Sequence, residues 1–240
     1  MTSRRLVTLA LLAALLAGCK TPISDEMTAI GFTPNPAPED NLIIGTVYQA
    51  TRDSSGNLIG LVQLCNPALI DSTLVKPNVN YISHNTTETQ KVTSTSTSNN
   101  LVIDASKLKA INASLSASGK TVNQVNIVIK DAKILDTDKT NLDTIAIAMA
   151  AKNPLCKDNI TNAGKNAEGV MREFVATVTY SVDTSANENF NTDITLQNAL
   201  KATLGAEWDT QSQTFVSGSQ LAYGYVLLPV DISTRISSLR

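Results

Sequence analysis

A single histidine limits the catalytic chemistry that this sequence could carry out. His84 is the only histidine among 240 residues, so a Ser-His-Asp triad would have to use it. It lies in the polar stretch Ser83-His84-Asn85, and no Gly-x-Ser-x-Gly nucleophile motif accompanies it. One histidine also rules out a His-rich metal site. We therefore interpret His84 as a surface residue and expect that the protein is not an enzyme.

The densest acidic cluster consists of Asp136, Asp138, Asn141 and Asp143. Clustered oxygen ligands suit calcium. An EF-hand loop starting at Asp136 would, however, need glycine at position 141 and glutamate at position 147, where the sequence has Asn141 and Ile147. A turn with helix-capping residues explains the same cluster. The chain also has no phosphate-binding loop, dinucleotide fingerprint or Cys-x-x-Cys motif, so we expect neither a metal nor a cofactor.

The charge balance disfavours nucleic-acid binding. The chain has 19 basic and 21 acidic residues, which gives a formal net charge of −2. Binding to phosphates requires clustered lysine and arginine, and the sequence contains no such basic patch.

Hydrophobic periodicity predicts the elements of the folded part. A turn signal at 53–57 between two apolar runs indicates a hairpin. The Thr- and Ser-rich stretch Thr86–Asn100 is interpreted as a long exposed strand, because threonine favours strands. Apolar residues at helical spacing, with capping residues at the ends, predict three helices. The predicted strands are 42–48, 58–65, 86–100, 122–135, 171–182, 215–216 and 221–230, and the predicted helices are 105–117, 141–152 and 193–204.

These elements predict an α+β domain over residues 41–240, with a mostly antiparallel sheet and about three helices. Residues 86–135 and 171–230 each run from a strand through a helix and a glycine to an apolar strand. The domain could therefore contain two pseudo-repeated β-α-β units. The apolar stretch Leu221–Val230 is interpreted as a central strand buried on both faces, with a membrane-inserting strand as the alternative.

The N-terminal segment has the features of an export signal. Arg4 and Arg5 precede an apolar run over residues 6–16, which leads into Leu16-Ala17-Gly18-Cys19. The run is too short for a transmembrane helix, which needs about twenty apolar residues. The last four residues match the Leu-(Ala/Ser/Thr)-(Gly/Ala)-Cys lipobox, and the N-terminus thus resembles that of bacterial lipoproteins.

This resemblance implies that residues 1–18 are a cleaved signal peptide and that Cys19 is the lipidated N-terminus of the mature chain, carrying acyl chains such as palmitate. More than one acyl chain gives stable membrane anchoring. Lys20 follows the cysteine in place of the aspartate that retains lipoproteins at the inner membrane. The resemblance therefore favours the outer membrane, with the domain facing the periplasm or the cell surface.

A proline-rich segment follows the lipobox. Residues 19–40 contain prolines at positions 22, 34, 36 and 38, which favour an extended, polyproline-like tether. The alternative is a partly docked arm in which Ile30 and Phe32 pack on the domain.

The two remaining cysteines, Cys65 and Cys156, are predicted to form a disulfide. With Cys19 lipidated, they are the only other cysteines in a compartment that oxidises thiols, and each lies next to a break in regular structure. Two separate buried cysteines, or an intermolecular bridge, are the alternatives.

Together these observations predict a lipid-anchored protein of the cell envelope that binds an envelope protein partner, without a nucleic-acid partner. Two alternatives stay open. One is a hydrolase of envelope polymers, which would need two convergent carboxylates. The other is a membrane-perturbing, pore-forming effector.

Overall fold

The computed structural model describes residues 22–39, 44–67, 80–82, 86–97, 101–185, 193–218 and 220–232. These residues form nine strands and six α-helices. In chain order they are α1 (Pro22–Ala29), β1 (Thr33–Glu39), β2 (Val47–Arg52), β3 (Leu58–Cys65), β4 (Asn80–Ile82), α2 (Thr87–Thr97), α3 (Ala105–Leu115), β5 (Val122–Asp136), α4 (Lys139–Lys152), α5 (Pro154–Ala163), β6 (Ala167–Thr184), α6 (Ile194–Leu204), β7 (Glu207–Asp209), β8 (Thr214–Val216) and β9 (Leu221–Pro229).

The strands form one antiparallel sheet around β6. The sheet runs β1-β9-β6-β2-β3, and β6 also pairs with β5 and β8. With 18 residues, β6 is longer than its neighbours, so each of its two sides pairs with two strands in succession. One side pairs with β2 and then β5, and the other side pairs with β9 and then β8. The prediction of an α+β fold with a mostly antiparallel sheet is confirmed. The number of helices is twice the expected number, since α1, α2 and α5 were not predicted.

Helices cover the apolar face of the longest strand pair. Buried residues of β5 mostly alternate with more exposed ones, in agreement with the period of two that predicted this strand, whereas β6 is buried on both faces over most of 167–179. Their buried side chains pack with residues of α1, α2, α3 and α6 in the largest core cluster, and α4 and α5 pack over β2 and the start of β6 in a second one. A third, smaller cluster contains Ile44, Val170 and Tyr225.

The Thr-rich segment is a helix, so the predicted strand over 86–100 is wrong. Thr86 caps α2 by accepting a hydrogen bond from the backbone N–H of Thr89 at 3.1 Å. Thr89, Val92 and Ser96 are buried on one face of α2, and the hydroxyl of Ser96 accepts a hydrogen bond from the N–H of Ile129 in β5. Packing against β5 thus overrides the strand propensity of threonine.

One further expectation fails on the same region. The pseudo-repeat of two β-α-β units is wrong, because its first unit begins with helix α2. The helix predicted over 141–152 is confirmed as α4, which ends at Lys152, and Pro154 then starts the unpredicted helix α5. Proline is favoured in the first turn of a helix, and the Asn153 side chain accepts hydrogen bonds from the N–H groups of Leu155 and Cys156.

The extended tether predicted over residues 19–40 is wrong for residues 22–39, which fold onto the domain. Met27 and Phe32 are buried in the largest core cluster. The Phe32 ring makes an edge-on contact with Phe174, with centroids 6.1 Å apart, and the guanidinium of Arg172 lies 5.2 Å from its centroid. A side chain at Gly224 would lie 2.9 Å from the Met27 sulfur, so this glycine permits the close approach of the arm.

The apolar stretch near the C-terminus is a central strand, as predicted. β9 pairs with β1 on one side and β6 on the other, and residues 222–225 are buried. Within the part of the chain that the structure describes, no helix is long and apolar enough to cross a membrane.

Candidate functional site

The structure joins Cys65 and Cys156 in a disulfide, as the sequence predicted. Cys65 is the last residue of β3, and Cys156 lies in the first turn of α5. Their Cα atoms are 5.5 Å apart, which is within the usual range for a disulfide. The bond fastens the edge of the sheet to a helix that is far away in sequence.

A shallow cleft of about 210 Å³ lies beside this disulfide. Its walls include Leu64, Met149, Lys152 and Pro154. Pockets for drug-sized ligands have volumes of roughly 300–1,000 Å³, so this cleft accommodates only a small group. It is a surface depression at the joint between β3, α4 and α5.

The β2–β3 hairpin is fixed at its other end by an ion pair. Arg52 donates hydrogen bonds to both carboxylate oxygens of Glu168, at 3.1 and 2.6 Å, which is the bidentate geometry that favours arginine. The bond to Glu168 raises the pKa of Arg52 above its ordinary value. The Asp53 carboxylate accepts hydrogen bonds from the backbone N–H groups of Ser55 and Asn57 and orders the turn.

Two large apolar side chains are exposed on this hairpin. Ile59 and Val62, both in β3, are 65% and 61% exposed. Sequence analysis identified β3 as a strand but not this surface, because the exposure of a strand residue depends on the order of strands in the sheet.

A buried carboxyl group lies in the centre of the sheet. Glu173 is 3% exposed, and its cross-strand neighbours are Leu135 in β5 and Tyr225 in β9. Its Oε1 atom has no hydrogen-bond partner among the described residues. Burial raises the pKa of Glu173 to about 8, so this group is mostly protonated at neutral pH. Burial also raises the pKa of Tyr225, to about 12.

Glu168 and Glu173 do not have the arrangement of a hydrolase acid–base pair. They are five residues apart on one strand, which places their Cα atoms about 16 Å apart. Paired catalytic carboxyl groups of glycosidases are about 5–9.5 Å apart, and Glu168 is already bound by Arg52.

The acidic cluster at the start of α4 is engaged in local structure. Asp138 caps α4 by accepting a hydrogen bond from the N–H of Asn141 at 2.8 Å. Asp143 binds Lys139 and accepts a hydrogen bond from the N–H of Asp231 at 3.1 Å. Burial raises the pKa of Asp136, which opposes ionisation. The described residues contain no group of three or more potential ligands placed to hold a metal ion, and the cap interpretation accounts for the cluster.

The structure does not describe the two remaining residues that the sequence singled out. Cys19 and His84 lie in the segments 1–21 and 83–85, outside the described residues. The lipidation of Cys19 and the surface interpretation of His84 therefore stay predictions.

Comparison with known proteins assigns no family. No family model matches the chain, and no curated protein matches it. One solved structure that it resembles is that of a bacterial gasdermin from Bradyrhizobium tropiciagri, with a TM-score of 0.38 and 14% sequence identity over 87% of this chain and 86% of that one. At this TM-score the likeness carries no conclusion about family or function.

Proposed function

We propose that this chain is a lipid-anchored protein of the bacterial cell envelope that acts by binding a protein partner. The Cys65–Cys156 disulfide carries this proposal, because disulfides form and persist in oxidising compartments outside the cytoplasm. The lipobox at Leu16–Cys19 supports the same compartment and adds the means of anchoring. Lys20 supports the outer membrane as the site of attachment.

The arrangement of buried polar groups supports binding in place of catalysis. Glu168 neutralises Arg52 and holds the hairpin, and Glu173 lies beneath the surface between two strands. Neither carboxyl group lines the cleft beside the disulfide. A hydrolase of envelope polymers is therefore the weaker alternative.

Substitution of the lipobox cysteine tests the anchoring. Cys19→Ala should leave the precursor unprocessed or release the protein from the membrane fraction, because the acyl chains are attached at this residue. Membrane fractionation and intact-mass measurement would show the change, with Cys156→Ser as a control that removes a different cysteine and keeps the anchor. Unchanged membrane partitioning together with a mature mass that lacks acyl chains would contradict the proposal.

Substitution of His84 tests the absence of triad catalysis. His84→Ala should leave the melting temperature and any cellular phenotype unchanged, because we interpret His84 as a surface residue. A lost phenotype in a protein with unchanged melting temperature would favour an enzyme and locate its site at His84.

A second candidate function, membrane perturbation, is favoured by the lengths of β5 and β6. These neighbouring antiparallel strands have 15 and 18 residues, and β5 buries one apolar face while its other face is more polar. A strand of about 9–11 residues crosses a bilayer. The alternation of β5 is also typical of a strand with one face covered by helices, and in the structure its buried residues pack with helices in the largest core cluster.

Dye release from vesicles separates the two candidate functions. The full chain would be added to phospholipid vesicles that contain a self-quenched dye, and vesicle binding would be measured by flotation. Binding without release supports the anchored binding protein. Dye release by both the wild-type chain and the Cys19→Ala chain would favour the membrane-perturbing function. The Cys19→Ala chain cannot carry acyl chains at this position, so its dye release could not be caused by acyl chains that disturb the bilayer.

A further inference from the structure

The N-terminal arm, α1 and β1, is fastened to the domain at several points. Ile23 and Met27 lie one turn apart in α1 and are 4% and 0% exposed, and Phe32 is 3% exposed. All three belong to the largest core cluster. The side chain of Asn35 in β1 donates a hydrogen bond to the backbone carbonyl of Ala222 in β9, at 3.0 Å. Detaching the arm would expose three large apolar side chains to water, so the arm belongs to the folded domain from α1 onwards.

Little chain separates this folded arm from the proposed lipid attachment site. α1 begins at Pro22, and Cys19 lies three residues before it. Three residues span at most about 11 Å when fully extended, and this limit holds for any conformation of the residues between them. An extended tether over residues 19–40 would instead have let the domain stand about 70 Å from the anchor.

The remaining gap is small compared with the domain. A folded domain of about 200 residues has a radius of gyration of about 17 Å and is therefore roughly 40 Å across. The headgroup layer on each side of a bilayer is about 5–8 Å thick. The longest possible span between Cys19 and α1 is thus about a quarter of the domain diameter and is comparable to the headgroup layer.

We propose that the domain lies directly on the surface of the membrane that anchors it, with the start of α1 facing the lipid headgroups. This inference rests on the proposed lipidation of Cys19 and adds the position of the domain, which the docked arm keeps close to the bilayer. A domain held in this way contacts partners only within about one domain diameter of the bilayer. The protein partner of the proposed function must therefore reach the surface of the same membrane.

Fluorescence energy transfer from the domain to the membrane tests this position. The lipidated full chain, with a donor dye on Asp25→Cys in α1, would be reconstituted into vesicles of phosphatidylethanolamine and phosphatidylglycerol that contain acceptor-labelled lipid. Asp25 is exposed. A second chain carries fifteen glycine and serine residues inserted between Thr21 and Pro22, which adds a spacer with an r.m.s. span of about 20 Å. A third chain carries the same fifteen residues after Arg240 as the matched control.

We expect fast energy transfer from the chain without an insertion and from the control. The insertion before α1 should lower the transfer rate at least about threefold, because the rate falls steeply as the spacer moves the donor away from the lipid. Circular dichroism melts would establish that all three chains fold. Equal transfer from all three would overturn the proposal, whether it is slow, as for a domain on a detached arm, or fast, as for a domain that adheres to lipid by its own surface.

The position of the domain and the proposed anchoring fail in different ways. A chain that carries acyl chains and floats with the vesicles, but transfers energy equally with and without the insertion before α1, would contradict only the position. A chain whose intact mass shows no acyl chain on Cys19 would contradict the anchoring, whatever its energy transfer.

Discussion

The Glu173 carboxyl group lies between two strands, where water does not reach it. Burial disfavours the charged form of a carboxyl group because the interior solvates charge poorly. The pKa of Glu173 is therefore about 8 in the folded chain, against the ordinary value of 4.5. The folded state keeps this proton over a pH range in which the unfolded chain has lost it, so its stability must depend on pH.

Glu173→Gln should remove this pH dependence. Below pH 4.5 the carboxyl is protonated in both states and carries no electrostatic penalty; as the pH rises from about 4.5 to about 8, the wild-type free energy of unfolding should fall by a few kcal/mol. Glutamine cannot ionise, so the variant should show a flatter profile and greater stability than wild type at pH 8. Urea unfolding at pH 5, 7 and 8.5 measures both profiles, and parallel profiles would contradict the assignment.

At the scale of elements, the disulfide connects two segments that the chain separates by 91 positions. A cross-link over such a loop reduces the conformational freedom of the unfolded chain, which the chain-entropy model values at about 4–5 kcal/mol. That is a large share of the roughly 5–15 kcal/mol that stabilises a typical domain. The bond therefore matters for the whole fold as well as for the position of β3.

Cys65→Ser should lower the melting temperature and expose one reactive thiol, at Cys156. Thiol labelling of the denatured, unreduced protein counts free cysteines, and wild-type protein should show none at Cys65 or Cys156. The double variant Cys65→Ser, Cys156→Ser is the control, since it should lose the same stability without the free thiol. Two labelled thiols in unreduced wild-type protein from the envelope would contradict the bond.

The N-terminal arm, α1 and β1, is a second element whose role can be tested. Phe32 is buried against Phe174, so Phe32→Ala should lower the free energy of unfolding by about 3–5 kcal/mol. Asp25→Ala changes an exposed residue of α1 and should cost less than about 0.5 kcal/mol. Denaturant melts of the full chain would measure both. An unchanged free energy of unfolding for Phe32→Ala would indicate that the arm does not pack on the domain and acts as an extended tether.

For the whole molecule, the position of a strand in the sheet should govern how well its backbone is protected. β6 pairs with strands on both sides along most of its length, whereas β3 has one partner among the described residues. Amide hydrogens exchange most slowly where many packed contacts must open together. The local free energy of opening should therefore decrease from β6 outwards to the β2–β3 hairpin.

Hydrogen exchange measured by mass spectrometry tests this gradient. Peptides that cover 174–179 of β6 should exchange more slowly than those that cover β3, by at least about tenfold in dilute protein, because β6 opens only with the core. Equal exchange in β3 and β6 at low concentration would contradict the strand order.

Local signals in the sequence determined much of this fold. Alternation of apolar residues predicted β5 and β6; one face of β5 is buried and the other is more exposed, whereas β6 is buried on both faces over most of 167–179. Asp104 and Asp193 cap the starts of α3 and α6. Gly205 ends α6, and Gly119 ends the short turn after α3; both glycines have the left-handed conformation. Such signals act within a few residues and can be read without the rest of the chain. The disulfide could be predicted because the sequence has only two cysteines other than the lipobox Cys19.

The tertiary structure decided the features that depend on distant neighbours. The α2 segment favours strands by composition, and contact with β5 made it a helix. Pro-rich residues 33–39 favour an extended tether, and they became strand β1 because β9 offered a partner edge. The raised pKa of Glu173 and the position of β3 at the end of the described strand order exist only once the strands are ordered in the sheet. Burial and edge position arise from contacts between segments far apart in sequence, and no local pattern encodes them.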